Sequence, residues 1–292
     1  MKERVITAVG IGIVGIPIIL FSEFIVYPLF LGLLSAIAVW ELLRVFALHK
    51  NYVISVPAYA ISGILPVLAH DSIVSTDSQR GYLLIVAAIL FAFLLYLAAV
   101  TVLQREHRLA RLDEGESEDG IIGFGDAASV FISVTYVTVS FTSMALTRYM
   151  TNGAYIFGLV FVTAWMSDVF AYFTGRLLGK HKLAPRLSPK KTVEGSIGGI
   201  IFAVLGCLLY GLIIDSVTDL EAKYAVLALI GFVLSVISQI GDIWASLIKR
   251  EHGIKDYSSM LPGHGGVMDR FDSILAIATV LMAISMLVPP FV

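Results

Sequence analysis

Four carboxylates lie within, or at the edge of, long apolar runs of this sequence: Asp168, Asp242, Asp269 and Asp272. An ionised side chain in such a run is costly unless it faces protein or water, so each needs a reason. Asp269 and Asp272 are three residues apart at the start of an apolar run, and on a helix they point the same way. Ser235, Gln239, Asp242, Ser246 and Lys249 recur at spacings of three and four, which makes one polar stripe. Asp168 precedes Gly175 by seven positions, about 10 Å along a helix. Carboxylates aimed at one point suit a hard divalent cation, and these four predict a metal site. A single Asp at a helix start would be explained better as a cap paired with Arg270 or another base; four at similar depth are not.

Two polar stretches add candidates for anion binding. Ser188-Pro-Lys190-Lys191-Thr192 stands just ahead of an apolar run, where the first amides of a helix favour an anion. Taken alone it equally describes an ordinary basic loop, and the Walker order of glycines and lysine is absent. Leu261-Pro-Gly-His264-Gly265-Gly266 lets the backbone approach a ligand closely, and the imidazole could meet a phosphate. Both stretches mix Gly, Pro and polar residues in orders that disfavour continuous helix, so both read as site loops. Gly175 and Gly179, four apart, predict close helix packing. Glu41 is expected to pair with Arg44 or to snorkel to the interface, and no chemistry is assigned to it.

The elements that must position these residues are membrane helices. Of 292 residues 58% are hydrophobic and 14% charged, against about 45–50% and about 25% in soluble domains. Apolar runs long enough to cross a bilayer fall near 5–21, 24–45, 53–69, 82–103, 127–147, 154–175, 196–214, 224–247 and 273–292. The fold class expected is all-α, a polytopic integral membrane protein of about nine transmembrane helices. Residues 1–125 would hold four spans and a charged loop, and 126–292 the five spans of a catalytic part, in one continuous membrane domain. The stretch QREHRLARLDEGESEDG, 104–120, is expected to form a short interfacial helix and a solvated turn.

With nine spans the Lys and Arg residues divide 17 to 3 between the two sides, and the positive-inside rule puts the N-terminus in the cytoplasm. All four aspartates then fall in the cytoplasmic half of the membrane. The net charge of −2 suggests no nucleic-acid partner. Cys207, the only cysteine, cannot form an internal disulfide.

The order SLIKREHGIKDYSSMLPGHGGVMDRFD, 246–272, resembles the motif of phosphatidate cytidylyltransferases, the CDP-diacylglycerol synthases, at every fixed position. SDVFAYFTGRLLGKHKLAPRLSPKKTVEG, 167–195, is similar to the same family, departing at Val193, where many members carry Trp. The resemblance is strong over the C-terminal half; the N-terminal half matches only in general hydropathy. It implies transfer of CMP from CTP to phosphatidic acid, giving CDP-diacylglycerol and pyrophosphate, with a magnesium requirement. On that reading Asp242, Asp269 and Asp272, with Asp168, hold Mg²⁺ at what would be two cation sites. Lys190, Lys191 and Arg270, with Ser188, Thr192, His264, Gly265 and Gly266, would receive the triphosphate, and Lys249, Arg250 and Lys255 the lipid phosphate or the same ligand. The site would face the cytoplasm from a bacterial-type cytoplasmic (inner) membrane, and a homodimer is compatible with such a compact helical enzyme.

A cation-coupled transporter using the buried aspartates is the alternative from another class. No tandem or inverted repeat supports it, and the HGG and SPKKT segments on one face disfavour it. The motif orders of CDP-alcohol phosphatidyltransferases and of prenyltransferases are absent.

Overall fold

Eight of the nine apolar runs fold as helices in a computed structural model, which describes residues 24–70, 76–112 and 122–292 together with Ile13, Pro17, Ile18 and Ser22. The run at 5–21 lies almost wholly outside the described residues. The helices are α1 (Val26–Val45), α2 (Tyr52–Leu68), α3 (Thr76–Leu112), α4 (Phe124–Tyr149), α5 (Gly153–Leu178), α6 (Val193–Val217), α7 (Tyr224–Glu251) and α8 (Met268–Leu287). Seven are long and apolar enough to cross a membrane. The exception is α2, whose 17 residues reach about 25 Å.

The stretch expected to break into an interfacial helix does not break before Leu112. Gln104 to Leu112 continues α3 without interruption, because this segment is rich in good helix formers and contains neither Gly nor Pro. Residues 113–121 lie outside the described set.

The segment expected as a loop between α5 and α6 contains a two-stranded antiparallel hairpin, β1 (Lys182–Ala184) and β2 (Ser188–Thr192), with Lys182 opposite Thr192 and Ala184 opposite Ser188. Glu194 closes its base: the carboxylate accepts the Lys180 amide at 3.1 Å and the His181 amide at 3.2 Å, and meets His181 Nδ1 at 2.6 Å. The Val193 amide adds a bond to His181 O at 2.9 Å.

Helix packing follows membrane rules rather than soluble ones. On α6 the small residues Gly195, Gly198, Gly199, Ala203, Gly206 and Gly211 are buried, while Ile197, Ile201, Leu205, Leu209 and Leu212 are exposed on the opposite stripe. Lipid is as apolar as leucine, so the large side chains gain nothing by turning inward and the small ones let backbones approach. The α5–α6 pair is the most extensive among the described residues, and the close packing expected at Gly175 and Gly179 is found there. A Cβ on Gly175 would stand 2.8 Å from Thr192 Oγ1, and one on Gly179 2.7 Å from Thr192 Cγ2. Buried hydroxyls join other helices, Ser167 to Ser235 at 3.0 Å and Thr138 to Ser62 at 3.0 Å.

Gly231 tests this packing away from the polar end of the bundle, since a Cβ there would lie 2.7 Å from Val204 Cα on α6. Backbone cannot step aside as a side chain can, so Gly231→Ala should destabilise the protein by about 1–3 kcal/mol. A lowered unfolding midpoint in detergent is the expected outcome; an unchanged one would contradict the packing.

Candidate active site

One end of the bundle gathers the C-terminal ends of α5 and α7, the N-terminal ends of α6 and α8, the hairpin and the loop 252–267. Thr192 starts α6: its Oγ1 accepts the Gly195 amide at 3.1 Å, an N-cap that satisfies one of the unpaired first amides. That hydroxyl is thereby engaged by the protein. Because Thr192 also sits against Gly175 and Gly179, the end of β2 is fixed to α5. Lys191, one residue earlier, projects to α7 and forms an ion pair with Asp242 Oδ2.

Asp242 comes beside α8 because Gly241 has no side chain. A Cβ at Gly241 would meet Asp272 O at 3.0 Å, so the two helices approach closely where their carboxylates lie. Asp242 adds like charge at both Asp168 and Asp272, and Asp168 adds it at Asp272. Lys191 opposes this charge at Asp168 and Asp242, and Lys249 at Asp272. Asp168 is exposed, while Asp242 and Asp272 are half-buried. One Asp272 oxygen accepts the Ser273 amide at 2.8 Å. Among the described residues, no three acidic, His or Cys side chains stand close enough to hold a metal ion as they are placed here.

The fourth expected carboxylate belongs to a different arrangement. Asp269 has a side chain only 3% exposed. Its Oδ1 receives Lys249 Nζ at 2.7 Å, and its Oδ2 accepts the Tyr257 amide at 2.7 Å and the Gly266 amide at 2.9 Å. Both oxygens are thus held by protein donors, so Asp269 clamps the 252–267 loop between α7 and α8. The Lys249 ammonium also lies 5.2 Å from the Tyr257 ring centre. Burial, then the Asp269 and Asp272 carboxylates, raise the Tyr257 phenol far above its usual range. It stays protonated and donates to Ala245 O at 3.0 Å.

The glycines of the loop serve the same clamp. Gly263 and Gly265 adopt φ of +73° and +84°, a conformation that L side chains resist. The turn closes through the Leu261 amide to Gly265 O at 2.9 Å and the His264 amide to Leu261 O at 2.8 Å. His264 Nδ1 is buried and has no hydrogen-bond partner among the described residues. Ser188 is half-buried, and Lys190, Arg250, Lys255 and Arg270 are exposed around this end; Arg250 donates to Ile254 O at 3.2 Å.

Glu41 corrects an expectation. It neither pairs with Arg44 nor reaches an interface: it is 0% exposed. Oε1 accepts the Ser258 hydroxyl at 2.6 Å and the Val267 amide at 3.0 Å, and Oε2 the Met268 amide at 2.8 Å. Its intramembrane position was the available sign, yet its partners lie more than two hundred residues away in sequence.

The family profile described as cytidylyltransferase matches residues 2–288. The chain belongs to the cytidylyltransferase family. Its relatives include a phosphatidate cytidylyltransferase of Staphylococcus haemolyticus, 34% identical over 96% of this chain and 97% of the relative. Those of Staphylococcus saprophyticus and Staphylococcus aureus (strain COL) are 34% and 32% identical, with the same coverage of both chains. As a cytidylyltransferase the chain is a nucleotidyltransferase, which sets the transporter reading aside. Family membership extends the likeness seen in the C-terminal motifs to the N-terminal helices.

The two carboxylate arrangements separate by substitution. Asp269→Asn leaves the buried Lys249 ammonium without its counter-charge and should cost about 3 kcal/mol or more of stability. Asp242→Asn, half-exposed and outside that clamp, should keep the unfolding midpoint within a few degrees of wild type, equivalent to roughly 1 kcal/mol or less. Thermal unfolding of both variants in one detergent checks this, and equal losses would contradict it.

Proposed function

We propose that this cytidylyltransferase acts on phosphatidic acid, forming CDP-diacylglycerol and pyrophosphate from CTP. The observation that carries the reading is the cluster of Asp168, Asp242 and Asp272 with Lys191 set against it, within a chain whose relatives are named phosphatidate cytidylyltransferases. A phosphate oxygen of the lipid attacks the α-phosphorus of CTP. The new P–O bond forms as the bond to the β-phosphate bridge breaks, and pyrophosphate leaves with the electron pair. The attacking oxygen is already anionic near neutral pH, so the protein need not supply a strong base. Its main task is to hold three anionic groups together.

The chain's residues suit that task. Lys191 can exchange its contact with Asp242 for a phosphate oxygen, while Lys190 and Arg270 are exposed cations at the same end of the bundle. Arg250 near the end of α7 and Lys255 on the following loop are the candidates for the lipid phosphate, and His264 on that loop is a candidate for a phosphate contact. Thr192 and Asp269 instead position β2 and the loop.

Asp168, Asp242 and Asp272 offer the hard oxygen donors that fit Mg²⁺, since three mutually repelling carboxylates leave negative charge that Lys191 only partly offsets. When bound there, divalent cations would neutralise the phosphates and the leaving group. The site faces the cytoplasm in this reading, where CTP is available, and acyl chains enter sideways from the bilayer.

Purified protein supplied with CTP labelled at the α-phosphorus should yield a chloroform-soluble labelled product only when phosphatidic acid and Mg²⁺ are both present, and EDTA should abolish it. Asp242→Asn should lower kcat by about a hundredfold or more, the scale of losing one electrostatic contact to a transferring group. Label entering lipid at an equal rate with EDTA would overturn the metal reading, and none with any phosphatidic acid would overturn the substrate.

A further inference from the structure

Glu41 stands outside the segments that resemble the family motif, yet its buried carboxylate ends at the loop those segments form. A carboxylate in a membrane helix is retained only where donors repay its desolvation, and here the donors are the Val267 and Met268 amides and the Ser258 hydroxyl. Met268 is the first residue of α8, and Asp269 and Asp272 follow within its first turns. Those amides are otherwise unpaired at a helix start, and a negative charge there is favoured by the helix dipole. The contact is close: a Cβ on Gly266 would lie 2.6 Å from the Glu41 Cδ. A second tie between the same elements is the edge-on packing of Phe46, just after α1, on His252 with ring centres 5.2 Å apart.

We infer that Glu41 is a positioning residue of the transfer reaction: it fixes the start of α8 so that Asp272 faces Asp242, and so places part of the catalytic cluster from the N-terminal half of the chain. The inference rests on the transferase reading above. Glu41 touches neither Asp242 nor Asp272 and has no part in the chemistry itself. Asp269 holds the Gly266 amide of the same turn, so two carboxylates from opposite ends of the sequence grip three successive amides, those of residues 266, 267 and 268. Removing one acceptor leaves α8 attached but lets its first turn shift. A displacement of about 1 Å in a reacting geometry can cost of the order of a hundredfold in rate.

Glu41→Gln keeps the shape but turns an amide donor toward one of the backbone amides. In detergent micelles with phosphatidic acid and Mg²⁺, kcat should fall by roughly tenfold to a hundredfold. The KM for CTP should stay within about twofold, the pattern of a loss felt mainly in the transition state. A purely structural residue would instead lower the yield or unfolding midpoint and leave the kcat of the folded fraction intact. That result, or wild-type kcat in folded Glu41→Gln, overturns the inference. Should Glu41→Gln fail to fold, Ser258→Ala removes a single donor from Oε1; a severalfold drop in kcat at normal yield supports the inference and an unchanged kcat overturns it. Wild-type protein without lipid-dependent labelling would overturn the transferase reading itself and this inference with it, whereas active wild type with unaffected variants overturns Glu41 alone.

Discussion

Asp269 is the hub on which the polar end of the molecule depends. Its carboxylate is buried among helices, where an uncompensated charge would cost several kcal/mol. It is satisfied by Lys249 from α7 and by two amides from separate parts of the 252–267 loop. Satisfying this one carboxylate brings the end of α7, both parts of the loop and the start of α8 together. The positive φ of Gly265 follows from the same constraint, because the turn must bring the Gly266 amide inward.

Against that satisfied group, the cluster of Asp168, Asp242 and Asp272 is under-compensated. Three carboxylates act on one another, while Lys191 is paired with one of them and Lys249 is committed to Asp269. Folding alone would gain by removing such charge. A site that handles nucleotide and lipid phosphates through cations has a use for it. In the proposed function, the contrast between a fully donated carboxylate and partly opposed ones would separate positioning from chemistry among residues that look alike in sequence.

The sequence disclosed much of this. Hydropathy located the helices α1 to α8, because the bilayer leaves few alternatives to a long apolar helix, though α3 extends six and nine residues beyond its expected ends and α8 is offset by five. The stripe through Ser235, Gln239, Asp242 and Lys249 was legible because a helix has a fixed period, and Gly175 and Gly179 because small residues at that spacing have one main use. The hairpin was harder to read: Lys182 and Thr192 pair across ten positions of polar sequence with no alternating apolar pattern to announce strands. The division between Asp269 and Asp272 was not legible. Their helical spacing says that they face alike, but which one meets the Tyr257 amide depends on the path of a loop that periodicity does not describe.

Glu41 shows why local reading fails where the structure is most constrained. Arg44 is its neighbour on the helix surface, but an exposed ion pair is worth little, whereas two amides and a hydroxyl in a water-poor site compensate a buried charge far better. The longer-range solution wins although it joins residues from opposite ends of the chain, and it starts a series of linked contacts. From α1 through Glu41 to α8, through Asp269 and Lys249 to α7, through Asp242 and Lys191 to β2, and through Thr192 to α5, each helix bordering the cluster is tied to the next by a named contact. Linked contacts resist displacement in a way that separate pairs do not, since moving one carboxylate strains contacts on both sides. Three repelling aspartates can then be held near one another, on helices that buried hydroxyls such as Ser167 and Ser235 also join.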